Sequence, residues 1–143
     1  MVSELSFSIK SSTSDRELVF LNPKRECFVV ELRGTALEAS RSVYAYTDAT
    51  GLLQFFCTLA TYERPWNKPE RWEALEGEFS VEATCSPLGQ VTFFIRLRDM
   101  FGQDEEWEAS ARLVTELGQL PTIASNAKLF FNSVASTSQE TRA

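Results

Sequence analysis

The residues best suited to recognition chemistry lie between Tyr62 and Trp72, where Arg64, Pro65, Trp66, Lys68, Pro69, Arg71 and Trp72 crowd into one short stretch. Prolines restrict the backbone, and Trp with Arg is the side-chain pairing typical of binding hot spots. Trp66, Arg64 and Arg71 are therefore candidate binding residues. Trp72 stands directly before a regular strand pattern and is expected to close the core. A fourth candidate is Arg41. If Leu37, Ala39, Val43 and Ala45 face inward on one strand, Arg41 shares their parity, and an inward guanidinium could hold an anionic ligand.

Other chemistries fall away. The chain has no histidine, which removes the commonest general base and metal ligand and excludes Ser-His-Asp and Cys-His catalysis within it. Cys27, Cys57 and Cys85 lack metal-ligand spacing, and their odd number without a secretion signal fits free thiols in a reducing compartment. No catalytic constellation, metal site or cofactor is expected, and the reading leans against an enzyme. With 14 Lys+Arg against 20 Asp+Glu the net charge is −6, which argues against nucleic acid and favours a basic partner. No apolar run is long enough to cross a membrane, so the protein is read as cytoplasmic.

The elements that carry these residues follow from periodicity. Strands are expected at Leu5–Ile9, Arg16–Leu21, Phe28–Arg33 and Leu37–Tyr46. Leu52, Phe55, Phe56 and Leu59 have helical spacing, with Asp48 or Thr50 as cap. Leu75, Gly77, Phe79, Val81, Ala83 and Cys85 alternate with polar residues. Val91–Leu97 and Trp107–Leu113 do the same, and Pro121 opens a helix with Ile123, Ala127, Phe130 and Val134 on one stripe. Residues 1–131 read as a single α+β domain and residues 132–143 as a flexible tail. The fold expected is α+β, an antiparallel sheet of six to seven strands with two helices.

The halves also resemble each other. Phe28–Arg33 matches Phe93–Arg98, and Leu37-Glu38-Ala39-Ser40 matches Trp107-Glu108-Ala109-Ser110, each followed by a helix. This points to duplicated β-β-(β)-α units with Leu37 and Trp107 in equivalent places. Aligning apolar faces pairs Phe79 with Leu97, Ala83 with Phe93 and Leu97 with Trp107. The same alignment predicts a solvent-facing ladder of Glu78, Arg98 and Glu106.

Trp72-Glu73-Ala74-Leu75-Glu76-Gly77, the Gly89-Gln90-Val91 turn and Ile95–Arg98 resemble a family of small bacterial cytoplasmic proteins with a Trp-x-x-Leu-Glu-Gly motif and no assigned function. Val43–Tyr46 and Leu52–Phe56 extend the likeness over about residues 5–131. The family pattern has Ser at Ala74 and His at Gln90. If that His served an activity, this chain would lack it. The resemblance implies fold unity and a bacterial origin.

The function expected is a non-enzymatic protein-binding module using a sheet face or the Trp66–Trp72 connection. Its sharper form is an immunity-type protein that neutralises a basic toxin. The alternative is a small-molecule or anion-binding domain with a pocket between sheet and helix near Arg41.

Overall fold

A computed structural model describes residues 5–44, 49–100, 102 and 104–142, with backbone alone at 49–50 and 134–142. Four strands, β1 (Ser6–Lys10), β2 (Glu17–Leu21), β3 (Cys27–Arg33) and β4 (Ala39–Tyr44), precede helix α1 (Ala49–Ala60). Four more, β5 (Glu70–Glu73), β6 (Phe79–Cys85), β7 (Gln90–Asp99) and β8 (Trp107–Glu116), lead through a 3-10 turn at Leu117–Gln119 into α2 (Leu120–Arg142). Each set of four is an antiparallel meander, ordered β1-β2-β3-β4 and β5-β6-β7-β8. The fold is α+β as expected, but its strands form two four-stranded sheets rather than one of six to seven.

The extra strand is β5. Between Pro69 and the Ala74 turn it has only four residues, and Trp72 is its one buried side chain, so its alternation is too short to register in sequence. The helical stripes are where periodicity puts them: Leu52, Phe55, Phe56 and Leu59 on α1, and Ile123, Ala127 and Phe130 on α2, are all buried. Thr50 lies inside α1 rather than at its cap, while Asp48 and the side chain of Val134 are outside the described residues. Helical backbone continues to Arg142, past the point where the apolar stripe ends.

The strand pairings are the same in both sheets. Phe28 faces Val43 and Leu32 faces Ala39 in the first; Phe93 faces Leu113 and Leu97 faces Ala109 in the second. Counting back from Ala39 and Ala109 puts Leu37 and Trp107 in equivalent places, and both pack against the core. The two β-β-β-β-α units exchange their helices. α1 packs beside β5, the first strand of the other unit, α2 packs beside β1, and the helices contact each other. One core results. Phe20 stacks edge-on against Phe56 of α1, Phe79 of β6 and Phe130 of α2, with ring centroids 6.0 to 6.3 Å apart. Burying side chains of this size contributes roughly 1.5–3 kcal/mol each.

The edges of the last strands are closed by the other unit. On β8, Ser12 donates its N–H to the Val114 carbonyl at 2.8 Å and Arg16 donates from Nη1 to the Arg112 carbonyl at 2.8 Å. On β4, the Tyr44 N–H donates to the Glu78 carboxylate of the second unit at 2.8 Å, while Arg41, from β4 itself, donates from Nη1 to the Ser42 carbonyl. Capping such edges blocks uncontrolled strand pairing.

Candidate functional site

Trp66 and Trp72 are both interior, each 7% exposed. Trp72 tilts against Phe79, with centroids 5.9 Å apart, as core closure requires. Trp66 stacks on Tyr62 at 4.4 Å, and Tyr62 donates its hydroxyl hydrogen to Glu70. That bond raises the Tyr62 hydroxyl above its usual range, with burial and the charge of Glu70 adding to the effect. Burial leaves Trp66 no exposed ring face to present as an anchor. Arg64 is exposed beside it, and Arg71 is exposed on β5.

Arg41 has the inward parity read from sequence but does not open into a pocket. Its Nε donates to the Arg98 carbonyl at 3.0 Å, and its Nη2 lies 3.8 Å from Asp99. It fastens β4 of the first sheet to β7 of the second. The four candidates therefore do not converge on one site.

The expected ladder of Glu78, Arg98 and Glu106 does not form. Gly77 takes φ 77° in the tight turn after β5, where its N–H donates to the Ala74 carbonyl. The strand consequently starts at Phe79, Leu75 swings out to 78% exposure, and Glu78 turns inward to 1%. Phe79–Leu97 and Ala83–Phe93 pair as predicted. Leu97 faces Ala109, not Trp107, so Arg98 falls opposite Glu108. The Glu108 carboxylate sits 3.5 Å from Arg96 Nε and 3.3 Å from Arg98 Nε, and the Glu106 carboxylate instead accepts from the Gly102 N–H.

This register builds a face that the linear sequence did not reveal. Arg71, Glu82, Phe94 and Arg112 are successive partners across β5, β6, β7 and β8, forming one row on the outer side of the second sheet. The half-buried Phe94 ring is flanked by two guanidinium groups, Arg112 at 4.8 Å and Arg96 at 5.7 Å from its centroid. Arg71, Ser80, Glu82, Phe94 and Arg96 surround a shallow hollow of about 90 Å³. Arg71 pairs with Glu73 at 3.0 Å, and Arg96 and Arg98 share Glu108. Four arginines thus meet three carboxylates on a chain of opposite net charge. The signal available in sequence was the strict alternation of Thr92, Phe94, Arg96 and Arg98, whose Phe94 stands among polar outward residues.

Among the described residues no cluster of three or more acidic, Cys or His side chains could hold a metal, and no helix is long and apolar enough to cross a membrane. Cys27, Cys57 and Cys85 are free, half-buried thiols. Ala74 and Gln90 lie at opposite ends of β6, separated by about 20 Å of strand. Residues at these two positions cannot act as one catalytic pair.

The chain belongs to a family of unknown function, DUF6228, whose model matches residues 9–134. No curated protein and no solved structure matches it. The DUF6228 match takes in both β-β-β-β-α units apart from the first strand residues and the end of α2.

Proposed function

We propose that this DUF6228 protein is a non-enzymatic protein-binding module that docks a partner on the outer face of its second sheet. The supporting observation is Phe94 held between Arg96 and Arg112 on that face. An aromatic ring with stacked guanidiniums offers a stiff apolar contact ringed by bidentate donors, the composition enriched at interface centres. The partner surface that fits is apolar at its centre and carries carboxylates at the rim. Capture from the native host with immobilised protein tests this. Phe94→Ala and Arg112→Glu should each abolish recovery of the partner while leaving the thermal midpoint nearly unchanged. Unaltered recovery with both variants would remove this face from consideration.

A second reading keeps the basic partner of an immunity-type protein. The β5–β6 turn and the β7–β8 connection lie at the same end of the second sheet. They bring exposed Leu75 and Met100, at 78% and 41%, beside Glu73, Glu76, Asp104, Glu105 and Glu106. Apolar tips set in carboxylates suit a cationic surface. Leu75→Glu would weaken that association and spare the one at Phe94. An anion site at Arg41 has less support, because its guanidinium already bonds main-chain carbonyls and Asp99.

A further inference from the structure

Strand β1 is an outer strand of the first sheet, and the direction of its backbone groups can be worked out. Ser11 donates its N–H to the Arg16 carbonyl at 2.9 Å, so these two form a hydrogen-bonded pair. Such pairs alternate along an antiparallel ladder. Ile9–Leu18 and Phe7–Phe20 are then the next hydrogen-bonded pairs, and the N–H and C=O of Ser6, Ser8 and Lys10 point away from β2. Ser12 confirms the parity, since its N–H points the same way and reaches the Val114 carbonyl on β8. Beyond Ser12, whose hydroxyl also donates toward the Val114 carbonyl and the Glu116 carboxylate, no hydrogen bond joins β1 to β8 among the described residues. No main-chain or side-chain hydrogen bond beyond the β1–β2 ladder engages Ser6, Ser8 or Lys10 among the described residues, in contrast to the capped edges of β4 and β8.

Open space lies along this same edge. Two hollows, of about 520 and 370 Å³, both include Ser8 and Asn126 and together run from Leu5 to Ser12. Gln119, Thr122, Asn126 and Leu129, spaced along one exposed side of the 3-10 turn and α2, form the far wall. At the Leu5 end the floor is apolar, with Val19 and Leu21, and Leu129 is 68% exposed above it. The charged lining is balanced, Lys10 and Arg33 against Glu17 and Glu116, and it gathers at the Lys10 end, where Lys10, Glu17 and Arg33 are successive cross-strand partners.

We infer that this trough accepts an extended peptide segment of a partner protein as an added strand on β1. An edge of alternating unpaired donors and acceptors is matched by another extended backbone, with a trough about 16 Å long for five residues. The balanced charge and the apolar floor select a neutral segment with apolar side chains at alternate positions. The wall formed by α2 makes the edge concave, which suits an inserted segment better than the edge of a second globular copy.

Hydrogen exchange by NMR, with a peptide selected from a phage-displayed library of random dodecapeptides, tests the assignment. In the free protein the amides of Ser6, Ser8 and Lys10 should exchange on the order of ten-fold or more faster than those of Phe7 and Ile9. Binding of the selected peptide should slow the first set and leave the second unchanged. Ser8→Pro removes an N–H from the free edge only, so the ladder to β2 survives while affinity falls at least about ten-fold. Leu129→Glu, a helix-surface change away from the ladder, should also weaken binding, and Arg112→Glu on the other sheet should not. Failure to enrich any peptide, or full affinity in both Ser8→Pro and Leu129→Glu, would overturn the proposal. So would protection of Ser6, Ser8 and Lys10 that rises with protein concentration alone, which would assign the edge to a second copy.

Discussion

The buried carboxylate of Glu78 accepts the main-chain N–H of Tyr44 at 2.8 Å, so a turn of the second sheet closes the last strand of the first. Ser12 does the reciprocal task on Val114. These two contacts are the joints between two units of the same strand order, each sealing the strand edge that the other leaves open. Glu78→Ala would leave the Tyr44 N–H without its acceptor, at a cost of about 1–3 kcal/mol. Glu78→Gln retains an amide oxygen and should cost less. Urea denaturation of both variants checks the order, and an Ala variant as stable as the Gln variant would show that the bond contributes nothing.

Trp66 and Trp72 are expected to behave alike. Both are interior, so Trp66→Ala and Trp72→Ala should each destabilise by about 3–5 kcal/mol. Reading Trp66 as a binding anchor from its flanking prolines would predict a stable alanine variant instead. Thermal melts distinguish the two outcomes, and Trp66→Phe, which keeps the stack on Tyr62, should recover much of the loss.

Asp15 joins the β1–β2 turn to the loop after β3. Its carboxylate accepts the Thr35 hydroxyl and the Thr35 N–H, the latter at 2.7 Å. These bonds, the hydroxyl's foremost, hold the Asp15 carboxyl below its ordinary value of 3.8. The folded state therefore binds the proton less readily than the unfolded one. The contribution is present above the unfolded pKa and is lost as pH falls through the lower folded value. Thr35→Val should return Asp15 toward its ordinary titration in NMR and remove part of the acid sensitivity of the fold. An unchanged titration would mean that the hydroxyl is not the cause.

What could be read from sequence follows the physics of each element. The β6–β7 register was legible because seven alternating residues on each strand admit one match of apolar faces across a short turn. The β7–β8 register was set two residues away from its true place. A two-residue slip preserves the inward and outward sides, so parity cannot detect it, and only the length of the intervening loop decides. Glu78 was misplaced because the turn at Gly77 breaks the alternation that the letters continue. Arg41 had its direction legible but not its partners, since Asp99 and the Arg98 carbonyl are brought to it by the other sheet. The Phe94 face was invisible for the same reason, as its arginines come from three strands whose register was partly wrong. The likeness of the two halves was legible because the pairs Phe28–Val43 and Leu32–Ala39 keep the apolar type and the spacing along each strand of Phe93–Leu113 and Leu97–Ala109.

Tyr62 offers a spectroscopic test of the connection around Trp66. Its hydroxyl donates to Glu70, and that bond is the main reason its pKa lies above the ordinary 10.0. Deprotonation would place a phenolate against a carboxylate and forfeit the bond, so the neutral phenol is favoured in the folded protein. The sign is the reverse of Asp15. The stabilisation is complete below the unfolded pKa of tyrosine and disappears as pH rises through the raised folded value. Tyr62 is only half-buried, so screening limits its effect on stability, and the titration itself is the measurement to trust. Three tyrosines are present, at Tyr44, Tyr46 and Tyr62. Absorbance at the phenolate band should show a late component that Tyr62→Phe removes. Glu70→Gln should shift that component down while keeping its amplitude. A late component that survives Tyr62→Phe would assign it to another tyrosine and leave the Tyr62–Glu70 bond without support in solution.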